Sequence, residues 1–183
     1  ISSVHIPGGS MSATAYNYSP FQYAEQRATE ELIGQPAPAV IEGAGLIAIG
    51  EGVELDVSGT VTSDSMGFFS ALPARRAVDG GKVSLEAFSI LSHESSAIRA
   101  SGGVSMGASG KKSLKGKGGS ISLLAGKDPE LRTSVGGALE LPSHLEAYSS
   151  VLGGSLTLQA VRAIIGEVEE PVGGIMELSP DFF

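Results

Sequence analysis

The chain of 183 residues has a formal charge of −8, contains no cysteine and is only 5% aromatic. The negative charge argues against a general nucleic-acid-binding surface, and the lack of cysteine excludes a disulfide framework and a thiolate metal site. No apolar run approaches the ~18 residues of a membrane span, and the first residues lack the basic and apolar regions of a signal peptide.

The first part of the chain predicts a strand followed by a helix. Residues 1–15 contain a glycine pair and then an alternating apolar run, which is typical of a strand with one buried face. Residues 16–34 predict a helical excursion, because Ser19 suits the N-cap and Pro20 suits the first helical position. The alternating pattern returns after this segment and indicates further strands.

Two predicted loops interrupt the rest of the chain. Residues 62–80 combine serine, aspartate, proline and arginine, and residues 103–118 are rich in glycine, serine and lysine, which predicts a mobile loop. Regular strands are expected from there to residue 183. Because the last repeat stops before it is complete, we expect residues 1–183 to be a single β-helix segment of a larger protein.

A glycine pair followed by an alternating apolar run recurs six times. The first glycines of these copies are Gly8, Gly80, Gly118, Gly136, Gly153 and Gly173. The second and fourth residues after each pair are apolar, so each copy predicts a strand with an inward and an outward face. The last four copies are 18, 17 and 20 residues apart. A period near twenty predicts a solenoid in which each turn packs on its neighbours.

The fold predicted from these patterns is all-β, a parallel β-helix with a short helical insertion. Antiparallel hairpins favour Asn-Gly or Asp-Gly turns. The chain contains one such pair, Asp79-Gly80, and a single asparagine, Asn17. An antiparallel β-sandwich is the alternative fold.

Two motifs alternate along the chain. GGKVSLEA from Gly80 and GGSISLLA from Gly118 represent the first, and residues 52–59 and 97–102 represent the second. Together they resemble filamentous-haemagglutinin-type exoproteins of Gram-negative bacteria, in which GG-x-V-x-L-x-A strands alternate with GA-x-I-D-A-S-G strands. The closing MELSPDFF is similar to an L-x-P-x-F-F segment of some haemagglutinin-family outer-membrane proteins. The resemblance covers most of residues 43–183.

The resemblance implies a right-handed parallel β-helix that forms the structural shaft of a secreted adhesin. Such exoproteins pass through an outer-membrane two-partner-secretion transporter and remain at the cell surface or are secreted, where they contact host or bacterial surface glycans or proteins. The family's secretion domain carries asparagine-containing motifs, so a chain with only Asn17 corresponds to the interior or C-terminal shaft. The stalk of a contact-dependent toxin is an alternative within the same family.

Two clusters of side chains are candidate binding contacts. The basic cluster consists of Lys111, Lys112, Lys115 and Lys117. It could contact anionic glycans or lipid headgroups, although lysines also keep a loop tip soluble. The aromatic cluster consists of Tyr16, Tyr18, Phe21 and Tyr23. It could stack on a sugar or a protein partner, although packing of the predicted helix onto the body would also account for it.

No residue pattern points to a cofactor, a metal or a nucleic-acid partner. The histidines His5, His93 and His144 lack metal-ligand spacing, and no nucleophile elbow or phosphate-binding loop occurs. We therefore expect no enzyme activity. The alternative is a β-helical polysaccharide-degrading enzyme, in which Glu140 and Glu177 would stand on one outward face roughly 10 Å apart. A solvated polar face accounts for the same two glutamates.

Overall fold

The structure is a computed structural model, and it describes residues 2–15, 45–63, 77–106, 112–126, 137–160, 163–165 and 176–178. Within these ranges the chain forms fifteen strands and no helix. The strands are β1 (Ser3–His5), β2 (Ser10–Ala15), β3 (Leu46–Ile49), β4 (Glu54–Asp56), β5 (Val61–Ser63), β6 (Lys82–Ala87), β7 (Ser89–Ser92), β8 (Ala97–Arg99), β9 (Val104–Met106), β10 (Lys112–Lys115), β11 (Ser120–Leu124), β12 (His144–Glu146), β13 (Ser155–Gln159), β14 (Ala163–Ile165) and β15 (Met176–Leu178).

Three of the four all-parallel sheets among the described residues are ladders that the chain visits repeatedly. The first ladder is β1-β4-β8-β12, the second is β2-β6-β11-β13, and the third pairs β3 with β7. The register is continuous across each ladder, so that Leu55 lies opposite Val4 on one side and Ile98 on the other. The chain therefore visits the first, second and third ladders in turn before it returns to the first.

The core consists of the inward-facing residues of these ladders. The central strands β6 and β11 contribute Val83, Leu85, Ile121 and Leu123. All four are buried, and each stacks on its counterpart in the neighbouring strand. Full burial of such a side chain contributes about 1.5–3 kcal/mol. The intervening Ser84 and Ser122 lie half-buried on the other face, so the alternation predicted for these strands is confirmed.

The six glycine-pair copies do not stack in one column. Four of them do, because the first strand residues Ser10, Lys82, Ser120 and Ser155 are direct neighbours. The copy from Gly136 instead forms an isolated bridge between Leu139 and Ile90 of β7, and the copy from Gly173 forms β15, which pairs with β14. Partners in the first ladder are 43 to 51 residues apart. The predicted stacking period near twenty is therefore wrong, since successive copies can belong to different ladders.

The inward residues are less buried at the edges of the ladders. Leu156 of β13 lies opposite Ile121, yet it is 41% exposed, whereas Ile121 is 1% exposed. Ala13 of β2 lies opposite the buried Leu85 and is exposed as well. Among the strands described, β2 and β13 each have a neighbour on one side only. The prediction that Leu156 and Ala13 are buried is wrong for this reason.

A small sheet occupies much of the segment that was predicted to be a loop at 103–118. Strand β9 pairs parallel with β5 and antiparallel with β10. The Gly/Ser/Lys composition indicated a loop because glycine and lysine are depleted in strands. Strand β5 lies 43 residues earlier in the chain, counted from Val61 to its partner Val104, and provides the parallel neighbour that local composition does not reveal. The predicted helical excursion, 16–34, lies outside the described residues.

The direction of strand pairing bears on the two predicted fold classes. The β9–β10 pair is the only antiparallel one among the strands that the structure describes, and every other pairing is parallel. The protein is therefore all-β with parallel sheets. The alternative of an antiparallel β-sandwich fits this pairing poorly.

Candidate functional site

The second ladder begins at a corner built of stacked glycines. Gly9, Gly81, Gly119 and Gly154 directly precede its four strands. A Cβ atom on Gly81 would overlap the carbonyl oxygen of Gly9, and one on Gly119 would overlap that of Gly81. The same carbonyls accept hydrogen bonds from the next strand, for example from Lys82 N–H to Gly9 O at 2.9 Å. Glycine is needed here because neighbouring backbones approach so closely.

Because glycine has no side chain, an open groove of about 730 Å³ runs along this corner. Besides the glycine pairs, the groove is lined by Ser10, Lys82, Ser120, Leu152 and Ser155. Its polar groups are mainly backbone atoms and hydroxyls, together with the exposed Lys82. The groove lacks the apolar enclosure that is typical of small-molecule pockets.

The outward face of the second ladder carries a row of hydroxyl groups. Ser12, Ser84, Ser122 and Thr157 lie opposite one another on consecutive strands. Neighbouring strands in a sheet are ~4.8 Å apart, so these side chains form a regular array. Serines at the corners between ladders bind the backbone instead, as Ser149 Oγ donates to Gly116 O at 2.6 Å. This row of the outward face is therefore polar and uncharged.

The predicted lysine cluster is spread over β10 and the corner that follows it. Lys111 lies outside the described residues, while Lys112 and Lys115 are the first and last residues of β10. Lys115 and Lys117 are exposed. The backbone N–H of Lys117 donates to Asp79 Oδ1 at 2.7 Å, an interaction that holds the corner without using the ammonium group. Both ammonium groups thus stand where a partner could reach them.

A tyrosine that the sequence patterns did not single out directly precedes Ser149, whose hydroxyl donates to Gly116 O between Lys115 and Lys117. The predicted Tyr16, Tyr18 and Tyr23 are outside the described residues. Tyr148 is 71% exposed, and the nearby Val151 and Leu152 are exposed as well. Leu152 O accepts a hydrogen bond from Gly118 N–H at 2.9 Å, directly after Lys117. We call Lys115, Lys117, Tyr148, Val151 and Leu152 the Lys/Tyr surface. Tyr148 has no aromatic neighbour in sequence, so no local signal identified it.

The outward face of the first ladder carries alternating charges. His5, Asp56, Arg99 and Glu146 lie opposite one another on β1, β4, β8 and β12. His5 Nδ1 is 2.8 Å from Asp56 Oδ2, Arg99 Nε is 3.3 Å from Glu146 Oε2, and Arg99 Nη1 also contacts Glu54. Exposed pairs of this kind contribute only ~0.2–1 kcal/mol each. We call the four-residue column the charge column.

Asp56 is the member of the charge column with a shifted pKa. Burial alone would raise the pKa of its carboxyl group. The hydrogen bonds from the Ser58 hydroxyl and backbone, together with the contact from His5, outweigh this and lower the pKa of Asp56 below its usual value. The Ser58 N–H donates to Asp56 Oδ1 at 2.8 Å. Asp56 is therefore held in its ionised form near neutral pH.

The two glutamates of the enzyme alternative do not share a column. Glu140 is exposed and follows the bridge between Leu139 and Ile90, whereas Glu177 lies opposite Ile164 in the β14–β15 pair. The expected stacking of the two carboxylates on one ladder is therefore wrong. Within the described ranges no group of three or more His, Cys, Asp or Glu residues could hold a metal ion. No helix in the same ranges is long and apolar enough to cross a membrane.

Comparisons with known proteins returned no relative. The sequence matched no protein-family model, no curated protein and no solved structure. What the chain does must therefore be inferred from its own residues.

Proposed function

We propose that the chain is a segment of a right-handed parallel β-helix that forms the structural shaft of a secreted bacterial surface adhesin of the filamentous-haemagglutinin type. The observation that carries the proposal is the repeated passage of the chain through the three ladders in the same order. A chain that returns to the first ladder after every circuit, always parallel and in register, is the arrangement expected of stacked turns. Parallel crossover connections are right-handed in nearly all known proteins, which favours the right-handed form.

The stacking of the two motifs supports the proposed family. The GG-x-V-x-L-x-A copies at Gly80 and Gly118 form β6 and β11, which are neighbours in the second ladder. The second motif, at 52–59 and 97–102, contains β4 and β8, which are neighbours in the first ladder. Copies of each motif are therefore neighbours in the same ladder, and the alternation of motifs along the chain corresponds to alternation between the first and second ladders.

The Lys/Tyr surface is the proposed binding contact of this shaft. Exposed Lys115 and Lys117 attract anionic groups, and the exposed ring of Tyr148 offers a flat face for a sugar ring. Anionic glycans of a host or bacterial surface combine both features. In this proposal the protein acts by spacing and binding, without catalysis, and it reaches the outside of a Gram-negative cell through an outer-membrane two-partner-secretion transporter.

Binding of the purified chain to immobilised anionic and neutral glycans tests this function. We expect binding to a sulfated glycan that weakens as salt is raised, because exposed charge contacts are screened. Replacing both Lys115 and Lys117 by alanine should abolish this binding and leave the circular dichroism spectrum unchanged. Lys82→Ala is the matched control, since it removes an exposed lysine at the groove and should retain binding.

Two results would contradict the proposal. One is that the chain binds no glycan and no cell surface, or that the double lysine variant binds as well as the parent. The other is the release of sugar ends from a polysaccharide panel by the parent, with loss of that release in Glu140→Gln. The second result would establish the enzyme alternative.

A further inference from the structure

We propose that Ser95 is an acyl-accepting nucleophile, which attacks a neutral ester with the help of His93 and keeps the acyl group. The inference concerns a covalent modification of one side chain and does not depend on the adhesin role. Ser95 and His93 lie at the corner between β7 and β8. The hydroxyl oxygen of Ser95 is 2.8 Å from His93 Nδ1, which is the hydrogen-bond distance expected between a nucleophile and its base.

The hydrogen bonds around this pair determine which atom donates. The backbone N–H of Ser95 donates to His93 Nδ1 at 3.2 Å, and an N–H group can only donate. Nδ1 therefore carries a lone pair and no proton. The backbone N–H of Gly52 donates to Ser95 Oγ at 3.0 Å, so the hydroxyl proton is left to point at Nδ1. This is the arrangement in which an imidazole removes the proton of an attacking serine.

The corner is held in place by the circuits of the chain on both sides of it. Ser96 N–H donates to His93 O at 2.9 Å, and the Ser96 hydroxyl donates to the same oxygen at 2.6 Å. His93 N–H donates to Ile49 O at 2.9 Å in the circuit before, and Ser143 N–H donates to Glu94 O at 3.2 Å from the circuit after. The nucleophile and its base therefore lie between two described circuits, which fix the backbone that carries them.

Gly52 provides both space and a hydrogen-bond donor for the reacting group. Its φ is +64°, a conformation that favours glycine, and a Cβ at this position would meet no atom within 4 Å. The space beside Gly52 is therefore open to an acyl group. As Oγ attacks, the Gly52 N–H can bond the oxyanion that forms on the attacked carbon, which stabilises the developing charge. His93 and Ser95 are exposed, so an ester reaches them from solvent.

Two carboxylates determine the charge of the ester that fits. Glu51 directly precedes Gly52, Glu94 directly precedes Ser95, and both glutamates are exposed. Their negative charges repel an anionic acyl donor, so a neutral ester such as an O-acetyl ester is the favoured partner. The site therefore differs in charge preference from the Lys/Tyr surface, which attracts anionic groups.

The proposed step balances without a further reactant. A bond forms between Ser95 Oγ and the carbonyl carbon of the ester, while the hydroxyl proton passes to His93 Nδ1. The bond between that carbon and the alkoxy oxygen then breaks, and the imidazolium returns the proton to the departing alcohol. The products are an O-acyl serine and one alcohol, and nothing is oxidised or reduced.

Reaction of the purified chain with p-nitrophenyl acetate, followed by mass spectrometry of its peptides, tests the inference. We expect one acetyl group at Ser95, formed faster than at any other serine. Ser95→Ala should lose this adduct. His93→Gln should form it roughly 100-fold more slowly or worse, because a general base contributes a factor of about 10²–10⁴. The matched control Ser150→Ala removes an exposed serine at another corner and should be acetylated at Ser95 like the parent.

Two results would overturn the inference. One is a parent that is acetylated at lysines or tyrosines and not at Ser95, a result that does not depend on the folding of any variant. The other is an equal rate of acetylation at Ser95 in the parent and in His93→Gln, since the hydroxyl would then react without its base. Far-ultraviolet circular dichroism of the variants should match that of the parent, because both side chains are exposed.

Discussion

Leu123 is the residue at which the assignment of inward and outward faces can be tested most directly. Its side chain is fully buried and stacks between Leu85 and Leu158 in the second ladder. Leu124 is the next residue of the same strand, points to the opposite face and is only half-buried. Replacing each leucine by alanine therefore compares the same chemical change on the two faces of one strand.

The expected cost of Leu123→Ala is about 3–5 kcal/mol. The substitution removes three buried carbon atoms, and each contributes ~0.8 kcal/mol of transfer free energy. The cavity left between the two neighbouring strands adds a further cost. Leu124→Ala should cost about 1 kcal/mol, because its side chain lies beside Glu86 and Gln159 and stays partly in contact with water. Leu123→Asp should be more damaging than either, because it buries an unpaired charge.

Urea unfolding followed by far-ultraviolet circular dichroism measures these differences. Stacked parallel strands can unfold in stages, so the free energies are comparable only if the variants share the denaturant slope of the parent. An equal or larger loss of stability in Leu124→Ala than in Leu123→Ala would refute the assignment of faces. It would also remove the basis for the continuous apolar columns.

Three further changes test the corner and the charges. Gly81→Ala should cost more than about 2 kcal/mol because its Cβ would overlap the backbone of the neighbouring strand, while Gly153→Ala should lie within about 0.5 kcal/mol of the parent because its Cβ would meet no atom within 4 Å. Equal effects of the two alanines on the urea midpoint would contradict the close approach. The pKa of Asp56 is lowered in the folded state, so its charge stabilises the fold above the usual value of 3.8 and that stability is lost as the pH falls through the folded value. Asp56→Asn should therefore lower the urea midpoint near neutral pH, and the difference from the parent should vanish at about pH 2; a difference independent of pH would contradict this. Arg99→Gln should cost about 1 kcal/mol or less at low salt, and the cost should shrink at about 1 M salt because the ion pairs are partly exposed. A cost that is unchanged by salt would show that packing and not charge is lost.

The sequence alone was sufficient to identify the central strands β6 and β11 of the second ladder and their faces. The alternation in GGKVSLEA and GGSISLLA correctly predicted that Val83, Leu85, Ile121 and Leu123 are inward, because strand geometry makes side-chain direction a local property with a period of two. The lysines Lys115 and Lys117 were also recognised as exposed, since lysine is costly to bury. These conclusions need no knowledge of which strands are neighbours.

Only the tertiary structure decided which strands pair. The copy from Gly136 has the same pattern as the copies around it, yet it lies beside β7 in another ladder, because pairing depends on the length of the whole circuit and not on the local motif. The same dependence joins residues 104–106 to β5, exposes Leu156 at an edge and brings Leu152, near Tyr148, to the corner that follows Lys117. A side chain's face is set by its own backbone, whereas its neighbours in the three ladders are residues more than 30 positions away in the chain.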